Sequence, residues 1–314
     1  MATTTRSHEC AESLPPSRLL LIAGLPRTGT TSLFHMLGDH PDFYQPFRKE
    51  MGFFLFNWHR GETWYRAAFA GMKPGQIGLD ATPEYFFSPE ATRRIESFGP
   101  AVRVLLGLRE PAELALSLYH EYAKRFRVPP LADFLRGFRY QRGSTVIEVK
   151  LAEHTIPRMV EFYRACFAKN LLLYDFATFA REPLTLLQTL ESFLSVSPYF
   201  TRETFRNRYL SVGDRPNSRL LSYVASRESL IGIASELFPA QWLRAGARLL
   251  YESAPSRPSP NRRAPTSQEQ SLLEGMFLED RVYIRSLFSE GPMVDGEGTV
   301  RRTWDGVPRY ATST

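Results

Sequence analysis

The feature that most constrains this chain is a junction. The uninterrupted apolar run RLLLIAG, residues 18–24, passes directly into GLPRTGTTSL, residues 24–33. An apolar run without alternation suits a strand buried on both faces. The stretch Thr31 to Leu37 that follows has helical periodicity and stops at Gly38 and Pro41. A glycine-bearing turn between a strand and a helix points several backbone N–H groups at one spot, and the helix N-terminus adds positive potential. An ordinary strand-to-helix turn can also contain glycines. Here Gly29 is flanked by the hydroxyls of Thr28, Thr30, Thr31 and Ser32 and by the basic Arg27, and that combination favours a phosphate ligand.

The spacing of Gly24 and Gly29 matches a Walker A loop, but the lysine that should follow the second glycine is Thr30. The positive charge sits inside the loop instead, on Arg27. A kinase or ATPase without that lysine lacks its main clamp on the transferring phosphate. The loop therefore suits a nucleotide 5′-phosphate whose reaction depends on neither a γ-phosphate nor magnesium.

Further strands are expected at 77–79, 102–108 and 171–174, and helices from Glu110-Pro111 through Tyr122 and from Pro183 to Leu194. Strands alternating with helices indicate a mainly parallel sheet covered on both faces. The fold expected is α/β: a P-loop-like three-layer domain with a central parallel sheet and a helical C-terminal portion beyond about residue 200. One domain, residues 18–314, follows a flexible polar tail over 1–17. SAPSRPSPNRRAPTS, residues 253–267, reads as a basic Pro/Ser-rich loop before a last helix over 268–288.

Hydrophobic residues make up 43% of the chain and charged ones 23%, as in an ordinary globular protein. Lys plus Arg is 39 against 33 for Asp plus Glu, a formal charge of +6 that suits an anionic ligand. The arginines are scattered, which disfavours nucleic acid as a partner. Two cysteines, Cys10 and Cys166, make no disulfide framework, and no apolar run is long enough for a membrane span, so a cytoplasmic protein is expected. Oligomeric state is not readable.

At the loop, PRTGTT resembles the 5′-phosphosulfate loop of sulfotransferases that use 3′-phosphoadenosine 5′-phosphosulfate (PAPS), usually PKTGTT or RKGGTT. HPDFY (40–44), KEMGFF (49–54), DATPEYFFSP (80–89) and VRVLLGLREPAELALSLYHEY (102–122) resemble blocks of the heparan sulfate sulfotransferase branch. The resemblance is specific over residues 18–122, weaker over 123–200 and slight beyond.

It implies in-line transfer of a sulfuryl group from PAPS to a hydroxyl or amine of a small-molecule, lipid or saccharide acceptor. Arg27, Thr28, Gly29, Thr30, Thr31 and Ser32 would hold the 5′ end, and Arg109 with Ser117 the 3′-phosphate. Arg262 and Arg263 resemble a nucleotide-closing loop loosely, with a basic surface loop as the alternative. Glu50 is the expected general base, set against a solvated glutamate beside Arg48 and Lys49; the aromatics at 47, 53, 54 and 56 suggest an apolar pocket that would raise its pKa. His59 and His120 are fallback bases. One departure stands out: the family's lysine in this fourth block is Ala81 here, and Lys49 or arginines of the 253–267 loop are candidates to replace it. The mechanism calls for no metal. A P-loop small-molecule kinase using ATP and a non-catalytic nucleotide-binding protein are the rival readings.

Overall fold

A computed structural model describes residues 16–99, 101–205 and 265–289. Five strands form one parallel sheet in the order β2-β3-β1-β4-β7: β1 (Leu19–Gly24), β2 (Phe43–Tyr44), β3 (Ile77–Asp80), β4 (Val102–Leu108) and β7 (Leu171–Asp175). Strand β1 lies at the centre, paired with β3 on one side and β4 on the other, and all six of its residues are buried. Its side chains divide between two cores. Leu19, Leu21 and Ala23 join one apolar cluster, whereas Leu20 and Ile22 join the other. That division explains the unbroken apolar run, because both faces of the strand are covered.

The first face carries α3 (Pro89–Ser97), α4 (Pro111–Ala123) and α6 (Thr155–Phe167), with residues from each in the same cluster as Val104 and Leu106. The second face carries α1 (Thr30–Leu37) and α8 (Pro183–Leu194), packed with Leu105 and Leu172. Three layers result, as the strand–helix alternation predicts. The remaining helices are α2 (Gly61–Ala67), α5 (Leu131–Gly137) and α7 (Phe176–Arg181).

Local signals fix several ends. Pro111 opens α4, and the N-cap Glu110 carboxylate accepts from the Glu113 amide at 2.8 Å. Pro89 opens α3 behind the N-cap Ser88, whose hydroxyl accepts from the Ala91 amide at 3.1 Å.

Gly38 ends α1 as expected, with φ −66°. A side chain there would sit 2.4 Å from the Gln45 Oε1, so packing is the reason for this glycine. A two-stranded antiparallel hairpin, β5 (Phe138–Arg142) and β6 (Thr145–Val149), was not foreseen. The last helix is two, α9 (Ser267–Met276) and α10 (Leu278–Phe288), broken at Phe277. Arg262, Arg263 and nearly all of the 253–267 loop lie outside the described residues, as does most of the 1–17 tail. Among the described residues no helix is long and apolar enough to cross a membrane.

Candidate functional site

From β1 the chain moves to one side of the sheet, through β2 and β3, whereas β4 leads to β7 on the other. The carboxyl ends of β1 and β4 thus flank the point where the strand order reverses, and open α/β sheets bind ligands in that crevice. The loop 25–29 leaves β1 there, and Arg109 leaves β4 there.

The loop is braced from below. Leu25 donates its amide to Gly107 O at 3.1 Å. The Thr28 hydroxyl turns inward and donates to Leu25 O at 2.7 Å, and the Tyr174 hydroxyl donates to Thr28 O at 3.0 Å. Gly107 is required by this brace, since a Cβ there would lie 2.4 Å from the Tyr174 ring and 2.6 Å from the Thr28 Oγ1. Gly29 caps α1 with φ +84° and no side-chain cap. The amides of Gly29, Thr30 and Thr31 meet no backbone acceptor among the described residues, which is the state of a helix start able to take an anion. Thr31 and Ser32 are half-buried, while Thr30 and Thr28 are buried. The side chain of Thr28 therefore shapes the loop rather than facing outward.

Three basic and polar side chains converge beside it. Arg27 has a left-handed backbone, φ +72°, an uncommon state outside glycine that raises the question of function. Its Nε donates to Ser117 Oγ at 3.1 Å, and its Nη1 lies 3.7 Å from Glu121 Oε2, both on α4. Arg109 Nη1 donates to Arg27 O at 3.2 Å, with its guanidinium 4.8 Å above the Phe176 ring. Arg27, Arg109 and Ser117, singled out separately in the sequence, thus form one cluster.

Glu50 lies on a second segment. It too has a left-handed backbone, φ +60°, and its carboxylate takes the Lys49 ammonium at 2.8 Å while 27% of the side chain stays exposed. A buried polar network fixes this segment. Asp80, at the end of β3, accepts hydroxyls from Thr82 at 2.7 Å, Tyr85 at 2.9 Å and Tyr65 at 3.1 Å. Thr82 Oγ1 in turn accepts the Gly52 amide at 3.1 Å. Burial pushes the Asp80 carboxyl above its ordinary range, and the three hydroxyls oppose the rise.

Phe53 and Phe54 do not wall in Glu50. They stack into the core against Tyr65, Tyr85 and Phe98, while Phe47 is exposed. Burial raises the Glu84 carboxyl, on the turn Pro83–Phe87, with the Glu50 charge as the next cause. Arg142 and Lys49 pull it back down. Arg142 comes from the unforeseen hairpin and lies 4.0 Å over the Phe56 ring.

His120 sits half-buried on α4, one turn beyond Ser117, and His59 is exposed on the turn Trp58–Arg60. His40 of the HPDFY block has a structural task. Its Nδ1 accepts the Asp42 amide at 3.0 Å, so its Nε2–H donates to Ser197 O at 3.0 Å. Sequence reasoning missed Tyr174, Gly107, Asp80 and Glu84. The DATPEYF block was in view for its missing lysine, and its two acids were passed over.

The fold and the braced turn define a P-loop-like α/β protein whose loop lacks the Walker lysine. No family model matches the chain. Mouse heparan sulfate glucosamine 3-O-sulfotransferase 3A1 is 32% identical over 205 residues, 63% of this chain and 50% of that protein. The mouse 3B1 enzyme is 33% identical over 193 residues, 59% of this chain and 48% of its own length. Human heparan sulfate glucosamine 3-O-sulfotransferase 6 is 32% identical over 123 residues, covering 39% and 35%. The chain spans half or less of the length of these relatives. A sulfotransferase structure from Alicyclobacillus acidocaldarius is similar at 20% identity and TM-score 0.47, over 72% of this chain and 98% of that one. The chain is thus similar in sequence to heparan sulfate sulfotransferases, the branch its motif blocks resemble.

Proposed function

We propose that this chain is a PAPS-dependent sulfotransferase acting on a hydroxyl or amine of a saccharide, lipid or small-molecule acceptor. The observation that carries the reading is the braced turn at the switch point, with Arg27, Arg109 and Ser117 gathered beside amides that meet no backbone acceptor among the described residues. In the reaction the acceptor attacks sulfur as the nucleotide 5′-phosphate departs in line. Charge grows on the bridging oxygen, so the protein needs fixed positive potential there. Arg27, the amides of Gly29, Thr30 and Thr31, and the outer hydroxyls of Thr31 and Ser32 would supply it. Arg109 and Ser117 would hold the 3′-phosphate. Arginine suits such a site because its charge is permanent and its donors form a fork.

Glu50 would take the acceptor's proton. Its partial exposure leaves it reachable, and the Lys49 ammonium lies 2.8 Å from its carboxylate. Lys49 and Arg142 both lie within electrostatic reach of the carboxyls near Ala81, and they would supply the cation that Ala81 does not. The names of the relatives support a saccharide acceptor. A cytoplasmic location is part of the reading, because two cysteines make no disulfide framework. The test is transfer from radiolabelled PAPS across saccharide, lipid and phenolic acceptors by wild type and Glu50→Gln. Labelled product from wild type and its loss in the variant support the reading. No transfer to any acceptor contradicts catalysis, and an unimpaired variant contradicts Glu50 as base.

A further inference from the structure

Resting on the reading of Arg109 and Ser117 as the grip on the 3′-phosphate, we propose that Arg281 of α10 is a positioning residue for that grip: it holds the Glu110 carboxylate at the start of α4 and keeps that charge off Arg109. The contacts are the first argument. Arg281 Nε donates to Glu110 Oε1 at 2.9 Å, and Glu110 Oε2 accepts the Glu113 amide at 2.8 Å as the N-cap of α4. The two oxygens of one carboxylate are thus divided between a helix start and a cation 171 positions further along the chain. Glu110 is the neighbour of Arg109, and the helix it caps carries both Glu113 and Ser117. Ser117 Oγ accepts from Arg27 Nε at 3.1 Å, and Glu113 Oε2 accepts from Arg109 Nη2 at 3.1 Å. What fixes the start of α4 therefore fixes the cluster beside the loop.

The second argument is how α10 is held. Asp280, next to Arg281, is fully buried, with its Oδ1 2.9 Å from Nδ1 of His154, the N-cap residue of α6. The Tyr283 hydroxyl donates to Glu161 Oε1 of α6 at 2.5 Å, and Tyr283, Ile284 and Leu287 are buried in the first core. Anchored on both sides of Arg281, the helix presents the guanidinium to Glu110 from a fixed base. Both side chains are mostly shielded, with 25% of Arg281 and 32% of Glu110 exposed. The third argument is charge. A carboxylate one residue from Arg109, without a cation of its own, would compete for that guanidinium and lower the positive potential that an anionic ligand needs. Arg281 supplies the cation from outside the cluster, so the fork of Arg109 stays turned to Arg27 O, where Nη1 donates at 3.2 Å.

The test is calorimetric titration with adenosine 3′,5′-bisphosphate and with adenosine 5′-phosphate, which lacks the 3′ group. It is run on wild type, Arg281→Ala, Arg281→Lys, Arg109→Ala and the double variant Glu110→Gln/Arg281→Ala. Expected in Arg281→Ala is a bisphosphate affinity weaker by about three- to fivefold, the scale of a partly exposed ion pair, with the monophosphate unchanged. Arg281→Lys should keep most of the affinity. The double variant should recover it, because a glutamine amide can still cap α4 and carries no charge to compete for Arg109. Equal loss for both nucleotides, no loss, or a double variant no better than Arg281→Ala overturns the proposal. Arg281→Gln, which keeps part of the stem, takes the place of Arg281→Ala should that variant fail to fold. If Arg109→Ala binds the bisphosphate as wild type does, the reading of Arg109 fails and takes the proposal with it. If Arg109→Ala is weakened and Arg281→Ala is not, the role of Arg281 alone falls.

Discussion

The proposed phosphate end of the site and its proposed acceptor end are built by different means. At the phosphate end, backbone does the work: strand ends, a left-handed glycine, helix-start amides, and a loop tied down by Tyr174 and Thr28. At the acceptor end, side chains do it. Asp80, Thr82, Tyr65 and Tyr85 share one buried network, and Glu50, Glu84, Lys49 and Arg142 meet from three separate segments. A backbone-built anion site depends on chain geometry and tolerates change at neighbouring side chains. A side-chain-built pocket can change its chemistry by single substitutions.

Perturbing each end should separate them. The largest effect is expected from Glu50→Gln, which removes a general base and should lower kcat by roughly 10²–10⁴-fold. Affinity for adenosine 3′,5′-bisphosphate, measured by calorimetry, should be unchanged, and a parallel loss of that affinity would break the division. Arg27→Ala should act in the opposite sense on affinity, weakening the bisphosphate, and should also lower kcat by about 10²–10³-fold if Arg27 faces the developing charge. Asp80→Ala strands two buried tyrosine hydroxyls at about 1–3 kcal/mol each, which thermal unfolding would register as a clear drop in Tm. Tyr174→Phe deletes a single brace of the phosphate loop. It should cost about 0.5–1.5 kcal/mol in stability and leave the Glu50 end untouched.

The smallest effect is a pH dependence. Burial raises Asp80 in the folded chain, so the native state holds this proton more tightly than the unfolded one. Its contribution to stability is complete below the unfolded aspartate value of about 3.9 and is lost as pH rises through the raised native value. The melting difference between wild type and Asp80→Asn should therefore shift in favour of wild type as pH falls across that window. A pH-independent difference would show that the three hydroxyl donors cancel the burial.

What could be read from the sequence follows the same division. Residues 102–108 and 183–194 form the strand and helix expected, because a doubly buried strand and a proline-opened helix carry their signals locally. The cluster of Arg27, Arg109 and Ser117 was legible because each residue belongs to a motif at a strand end or on the helix that follows one. The hairpin was not, although its two-residue Gly143-Ser144 turn is of a hairpin type, because its strands are short and the exposed Val146 blurs their alternation. Glu84 was hidden for a related reason. Nothing along the chain says that residues 50, 84 and 142 come within electrostatic reach of one another; tertiary packing decides it.

The turn after β1 is the claim on which the rest depends, and a thermal-shift comparison of nucleotides addresses it most directly. Adenosine 3′,5′-bisphosphate at about 100 times its Kd should stabilise wild type by about 2.7 kcal/mol. The gain should shrink sharply in Arg27→Ala, and Mg-ATP should give none. Equal stabilisation by Mg-ATP, or a bisphosphate effect indifferent to Arg27, would contradict the account.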